Sequence, residues 1–443
     1  MLRKICVGLI LMCGLNAVCQ VEPSATGGPV AQDEDVPMSM PPPVSGTAYP
    51  TQVGSAVREN YLSLGLAIEG GYSSNVLPGL TAQPISDEVY SFFPLFRYDQ
   101  QTPRQTRSLS VNSGYTFYQH TSGLDNLNQG VSGLFQQRLT RHVTLSLNDT
   151  FAQTSGVFNQ PGILPGETVS GSVSASAQAV IAPYANELLN SSNAVISDQF
   201  SQRAMVGGSF VTATLNFPDP SQAVGLDNTQ SYGGTGFLNR RFAENQYAGA
   251  IYEYLRTTTD PVVSTTEAHT IYGFLTHYFN RSASLSLAAG PEYLKTSVPG
   301  SPAYQSWTPA ANVSLGWQAG HANLAASYAR TAGAAQGLPG AFSTDTAGLS
   351  AAWRPSVAWS ASVSGGYAIF SNLTPQLAAG FPGGHTVNGS VSVVRAFGEH
   401  FNSQIGYIRL HESYTGIPVI TANPDSDEVF ATITYQLRKP IGR

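Results

Sequence analysis

A catalytic or metal-binding reading would need histidines, serines or carboxylates brought together, and the chain offers eight histidines for it. His120, His142, His321 and His400 fall where the sequence reads as loop or turn, and no motif ties any of them to a nucleophilic serine. His269 and His277 share the parity of one strand-like run, but their separation is about 26 Å along an extended chain. They cannot share a metal ion. The pattern calls for no enzyme, no cofactor and no metal. Charged residues say more. Glu69, Arg97, Arg138 and Glu292 each fall on the polar parity of an alternating run. If those polar faces enclose water, the four would set a transverse field across it. The plainer alternative is solvated charge without selectivity.

Runs of period two are what would aim these charges, and the clearest run closes the chain. From Ser426 to Leu437, Val429, Ala431, Ile433, Tyr435 and Leu437 alternate with Phe430, Thr432, Thr434 and Gln436. One apolar and one mostly polar face make a half-buried β-strand, here long enough to cross a bilayer when tilted. The same alternation recurs at Leu62–Ile68, Leu109–Phe117, Val143–Leu147, Val313–Trp317 and Val357–Tyr367. No stretch after residue 19 carries the 18 consecutive apolar residues of a spanning helix.

Composition agrees with strands in lipid. Only 11% of residues are charged, against about 25% in ordinary soluble domains. The difference is made up by Ser, Thr, Asn, Gln and 44 glycines. Lipid would cover the outside of a barrel, and a neutral-polar lumen would need little charge. The formal net charge of −6 argues against nucleic acid as a partner. Residues 1–19 read as a signal peptide, with Arg3 and Lys4 before an apolar stretch and small residues before Gln20. All three cysteines, Cys6, Cys13 and Cys19, lie within it, and Cys19 is a poor match to a lipidation site. Residues 20–59 are rich in proline with an acidic patch at Asp33–Asp35, the composition of a disordered periplasmic tether. Residues 60–443 form one barrel domain.

Short turns near Pro103, Arg141, Arg203, Arg241, Arg281, His321, Pro355 and Glu399 recur about every 40 residues, with one longer Gly/Pro-rich loop in most intervals. Two long strands per interval fit a barrel; a propeller blade would need four short ones. The count is eighteen strands, with sixteen as the alternative if the weak runs near Val195 and Val211 fail. The fold class is therefore all-β: a transmembrane, antiparallel, up-and-down β-barrel. Tyr72, Tyr98, Tyr118, Phe151, Phe279, Tyr293, Tyr367 and Tyr435 would supply aromatic girdles at the two interfaces. Asp149 and Arg330 fall on the apolar parity and are expected at headgroup level. Long loops near Leu80, Leu124, Gly225, Pro299, Gly337, Pro375 and Pro418 would face outward from the cell.

Tyr115 to Phe151, YTFYQHTSGLDNLNQGVSGLFQQRLTRHVTLSLNDTF, together with the closing ITYQLRKPIGR, resembles acidobacterial-type outer-membrane β-barrel porins and relatives encoded beside exopolysaccharide genes. The resemblance implies outer-membrane lipid, lipopolysaccharide, the insertion machinery and small polar solutes as partners. Many such barrels end on an aromatic residue read by that machinery. This chain ends on Arg443, so the signal would be read internally, around Tyr435 and Leu437.

One interval is longer than the rest: Arg141 and Arg203 stand 62 apart where neighbouring turns are about 40 apart. The excess lies in residues 155–186. The resemblance to general porins implies a third external loop folded into the lumen, and the composition allows it. Pro161, Pro165 and Pro183 break a continuous strand, and Glu167 with Ser170, Ser172, Ser174 and Ser176 would face the narrowed passage. A flexible external flap is the alternative. The function expected is a pore through which small polar solutes diffuse. An export channel for polysaccharide or protein, or a structural or adhesive surface barrel, are the other readings.

Overall fold

The computed structural model describes residues 60–441 apart from 79–80, 82, 155–184, 224, 281, 335–336, 379–382 and 416–424. The segments read as signal peptide and tether, and nearly all of the 155–186 interval, lie outside the described residues.

Eighteen strands carry the fold. The first six are β1 (Tyr61–Ser73), β2 (Asp87–Thr102), β3 (Gln105–Tyr118), β4 (Asn126–Arg138), β5 (Val143–Thr154) and β6 (Glu187–Ser201). Then come β7 (Ala204–Asn216), β8 (Asn228–Ala243), β9 (Gln246–Asp260), β10 (Ser264–Tyr278), β11 (Ala283–Ser297) and β12 (Tyr304–Ala319). The last six are β13 (Ala322–Ala334), β14 (Ala341–Trp353), β15 (Trp359–Asn372), β16 (Gly383–Phe397), β17 (Phe401–Thr415) and β18 (Asp425–Pro440). Each is antiparallel to its sequence neighbours, and β18 pairs with β1 from Tyr61↔Pro440 to Ser73↔Glu428. The sheet closes on itself, so every strand has two partners and no edge faces lipid, the condition for spanning a bilayer with strands. The eighteen runs read from the alternation are these eighteen strands.

The two faces differ sharply. On β1, Leu64, Ile68 and Tyr72 are exposed on the outside, while Ser63, Ala67, Glu69 and Ser73 are buried on the inside. On β18, Val429, Ile433 and Leu437 point out, and Glu428, Phe430 and Thr432 point in. The same division runs round the barrel and gives an apolar outer band. Aromatic belts flank it. The belt toward the long-loop end includes Tyr252, Tyr254, His269, Tyr293 and Trp307, each ring in contact with the next. The opposite rim carries arginines stacked on rings, Arg107 on Phe135, Arg240 on Phe242 and Arg395 on Trp359 and Phe397. Tyr118 does not join the outer girdle. It pairs with inward-facing Val89, because the parity of β3 sends Tyr115 and Phe117 outward and leaves Tyr118 one step off.

Of the two outward charges read from the sequence, Arg330 pairs with Asp345 on the same face at 3.6 Å, and Asp345 also accepts from the Tyr328 hydroxyl. Asp149 sits mid-strand. Its carboxylate accepts from Ser192 Oγ at 2.5 Å and Asn190 Nδ2 at 3.2 Å on β6, so neighbouring strands satisfy it rather than headgroups alone.

Large inward aromatics follow a rule of their own: several lie against a glycine on the adjacent strand. Phe93 covers Gly114, Phe237 covers Gly207, Phe274 covers Gly249, Tyr414 covers Gly384 and Phe430 covers Gly406. A ring laid on bare backbone hugs the wall instead of standing in the lumen, and it shields the strand where the glycine offers no side chain. A Cβ on Gly207 would meet both the Phe237 ring and the Ile196 carbonyl. Gly207→Leu is therefore expected to lower the unfolding midpoint in urea, at a cost of about 1–3 kcal/mol, by displacing Phe237. An unchanged midpoint would show that this seating carries no energy.

Candidate functional site

The inward face is the part of a barrel that can act on a solute, and here it is mostly hydroxyl and small. Pairs such as Ser91–Thr116, Ser209–Thr235, Ser231–Thr257, Thr276–Ser286 and Ser364–Ser390 bridge adjacent strands at 2.7–2.9 Å. Hydroxyls can donate and accept, so each satisfies its neighbour and still offers a lone pair to water.

The long-loop end of this cylinder is narrowed from within. The β12–β13 ladder stops at Ala311↔Arg330, whereas β13 stays paired with β14 to Ala334↔Ala341. Above Arg330 the β13–β14 hairpin therefore leaves the wall and bends inward. Glu292 on β11 receives it, accepting the Ala332 N–H at 2.7 Å. The hairpin loop reaches over to β8 and β10: Gly337 N–H donates to Thr229 Oγ1 and Gly340 N–H to Ser264 Oγ, each at 3.0 Å. Asp227 N–H donates back to the Gly337 carbonyl at 2.9 Å. Gly337 and Gly340 have φ of 80° and 100°, backbone that a side chain would strain, which is why glycine stands at both bends.

An apolar cluster fills the space that these hydrogen bonds frame. Leu338 from the hairpin meets Leu215, Phe217 and Leu226 from the β7–β8 side, and Phe342, Ala368, Phe370 and Tyr414 from β14, β15 and β17. Those strands lie on well-separated arcs of the eighteen-stranded ring, so the cluster is a septum across the mouth rather than a patch on one wall. The β15–β16 connection braces it: Thr374 Oγ1 accepts the Ala341 N–H at 2.9 Å, and Leu373 packs beside Ala268, Leu294 and Ala332. At its rim, burial lifts the Asp227 carboxyl to about 6, opposed by a hydrogen bond from the Val262 backbone and reinforced by nearby Asp260.

The four charges singled out in the sequence separate by height. Glu69 and Glu292 lie in the half nearer the long loops. Glu69 is buried and accepts from Thr432 Oγ1 at 2.8 Å; Glu292 accepts from Thr270 Oγ1 at 3.1 Å as well as from Ala332. Arg97 and Arg138 lie toward the opposite rim, both exposed, with Arg97 held to Asp99 at 2.6 Å. The structure brings Glu69 beside Glu428 and Glu292 beside Glu253, close enough for the charges of each pair to interact. It does not bring the four together. Glu167, Ser170, Ser172, Ser174 and Ser176 lie outside the described residues. The alternation alone could have found Glu428, which shares the polar parity of β18 with Thr432 and Thr434; Glu253 and Glu412 sit among inward apolar residues such as Ile251, Leu255, Leu410 and Tyr414, and neither they nor the inward hairpin had such a signal. Among the described residues no group of three or more His, Cys, Asp or Glu could hold a metal ion.

No family model matches the chain, and no curated protein does. Among solved structures it is similar to the FrpB iron transporter from Neisseria meningitidis (F5-1 variant), at 8% identity over 86% of this chain and 82% of that one, with a TM-score of 0.43. It is also similar to Pseudomonas aeruginosa OccK2 (OpdF), at 10% identity over 86% and 98%, with a TM-score of 0.43. Pseudomonas aeruginosa OpdK, solved with vanillate, matches at 10% identity over 85% and 99%, with a TM-score of 0.41. At such identities the likeness is to barrel architecture, and it says nothing of what this chain carries.

Proposed function

We propose that this chain is an outer-membrane pore through which small polar solutes diffuse, entered through the mouth that the β13–β14 hairpin narrows. The observation that carries this reading is the closed eighteen-stranded wall lined by small hydroxyl and glycine positions, which cannot fill a cylinder of that size and so leave it to water. In this reading residues 1–19 direct export, residues 20–59 form a periplasmic tether, and the insertion machinery reads the closing strand around Tyr435 and Leu437. Lipid and lipopolysaccharide cover the outer band. Glu69 and Glu292 act on solutes near the mouth, and Arg97 and Arg138 at the periplasmic rim. The interval 155–186 belongs to the same constriction. Its support is Ala185, near the end of that interval, which is buried in the septum cluster. Within that class, the chain is taken as a relative of the porins encoded beside exopolysaccharide genes.

Purified protein in planar bilayers is expected to give stepwise conductance with discrete unitary currents. A barrel that inserts, verified by heat-modifiable migration, yet stays silent at all voltages would overturn the pore and favour a surface protein that acts through its loops.

A further inference from the structure

The inward-facing charges divide unevenly along the axis, with Asp99, paired to Arg97, the carboxylate that falls on the arginine side. In the external half the inward carboxylates are Glu69, Glu187, Glu253, Glu292, Glu412 and Glu428, spread round the ring on β1, β6, β9, β11, β17 and β18. Among the described residues, no Lys or Arg points inward at that height; the inward arginines Arg97, Arg138, Arg241 and Arg438 sit toward the other rim. Some of the acids already have structural duties. Glu292 holds the hairpin through Ala332. At the loop end, the Asp87 carboxylate is taken up by the backbone and hydroxyl of Thr121 and by His120.

Glu69 and Glu428 are less engaged: the bond shown to their carboxylates is the Thr432 hydroxyl donating to Glu69. Glu428 stands opposite Ser73, and its carboxylate lies over Gly71, where a Cβ would come within 3.3 Å of Oε1. The missing side chain at Gly71 thus leaves a notch that brings Glu428 toward Glu69, near enough for the two charges to act on each other. Beside them, Ser73 Oγ is 1% exposed and has no hydrogen-bond partner. Two carboxylates in one recess, with no arginine or lysine and a hydroxyl oxygen left over, are an oxygen-lined site short of positive charge. Like charges held together are unfavourable until a cation lies between them.

We propose that the external half of the lumen selects cationic solutes, and that Glu69, Glu428 and Ser73 receive the cationic group, an ammonium or guanidinium. Rings of acidic side chains at a constriction favour cations because low-dielectric walls concentrate their field. The arginines at the opposite rim act less strongly, since they are exposed and Arg97 is paired with Asp99. This inference rests on the pore reading, and one experiment separates the two. Reversal potential is measured in a potassium chloride gradient, and swelling of protein-loaded liposomes is compared in lysine and in glutamate. Wild-type protein should pass potassium over chloride and admit lysine faster. Glu69→Gln with Glu428→Gln should lower the potassium-to-chloride ratio about threefold. Current with no preference, or with preference for chloride, would overturn the cation proposal while leaving the pore intact. An unchanged ratio in the folded double variant would remove these two residues from it. If that variant does not fold, the wild-type sign and Glu69→Gln alone decide the matter. No current at all would count against both readings.

Discussion

Replacing residues 335–340 by a two-residue turn is expected to raise single-channel conductance by about twofold or more, because a constriction dominates the resistance of a wide channel. The hairpin reaches across the mouth through few anchors: Ala332 to Glu292, Gly337 to Thr229 and Gly340 to Ser264. Leu338, 3% exposed, is the apolar centre that these anchors place among Leu226, Phe342 and Phe370. Removing it takes away the part of the septum that spans the lumen while leaving the wall below Arg330, and its ladder to β12, as it was. Glu292→Gln should give a smaller increase, since a neutral amide oxygen accepts the Ala332 N–H more weakly than a carboxylate does. Size exclusion should shift in step, with larger sugars entering liposomes that carry the shortened hairpin. If conductance and the sugar cutoff both stay where they were, this hairpin is not the constriction.

A chain ended before Asp425 should fail to form a barrel at all. β18 pairs with β1 from Glu428 to Pro440 and with β17 from Asp425 to Tyr435. Without it those two strands would present unpaired amides and carbonyls to lipid, and each such group costs several kcal/mol where no water can replace the lost partner. Few native proteins have a margin that covers even a handful of these. The readout is the compact, heat-modifiable band on electrophoresis together with protease resistance, and both should vanish. A graded version keeps the strand and charges its lipid face: Ile433→Arg places a guanidinium on an outward position and should cost about 2–4 kcal/mol if that position is near the bilayer midplane. A truncated chain that still migrated as a compact, protease-resistant species would mean that β1 and β17 can close the sheet by themselves.

The barrel could be read from the sequence because period-two alternation is a local property. Leu64, Ile68 and Tyr72 fall on one face of β1, and Glu69 and Ser73 on the other, whatever the strand pairs with. Strand number, the outer band and the inward direction of Glu69, Arg97, Arg138 and Glu292 follow from such local patterns. Parity also explains the one aromatic misplaced, since Tyr118 is assigned inward by the same alternation that sends Phe117 out.

What the alternation does not carry is who meets whom across the lumen. Leu338, Phe217 and Phe370 are ordinary apolar residues in or beside loops, and nothing in their spacing says that they converge. Their contact depends on closure of the ring, which brings distant strands within reach, and on the inward bend of β13 above Arg330. Glu69 and Glu428 show the same division. Each can be assigned to a polar face from its own strand, but the two lie more than 350 residues apart, and only the β1–β18 seam puts them in one recess. The rings seated on Gly114, Gly207, Gly249, Gly384 and Gly406 likewise depend on register between strands, which is set by closure and not by either strand alone. Local periodicity determined the wall of this protein; the closing of the sheet decided what stands inside it.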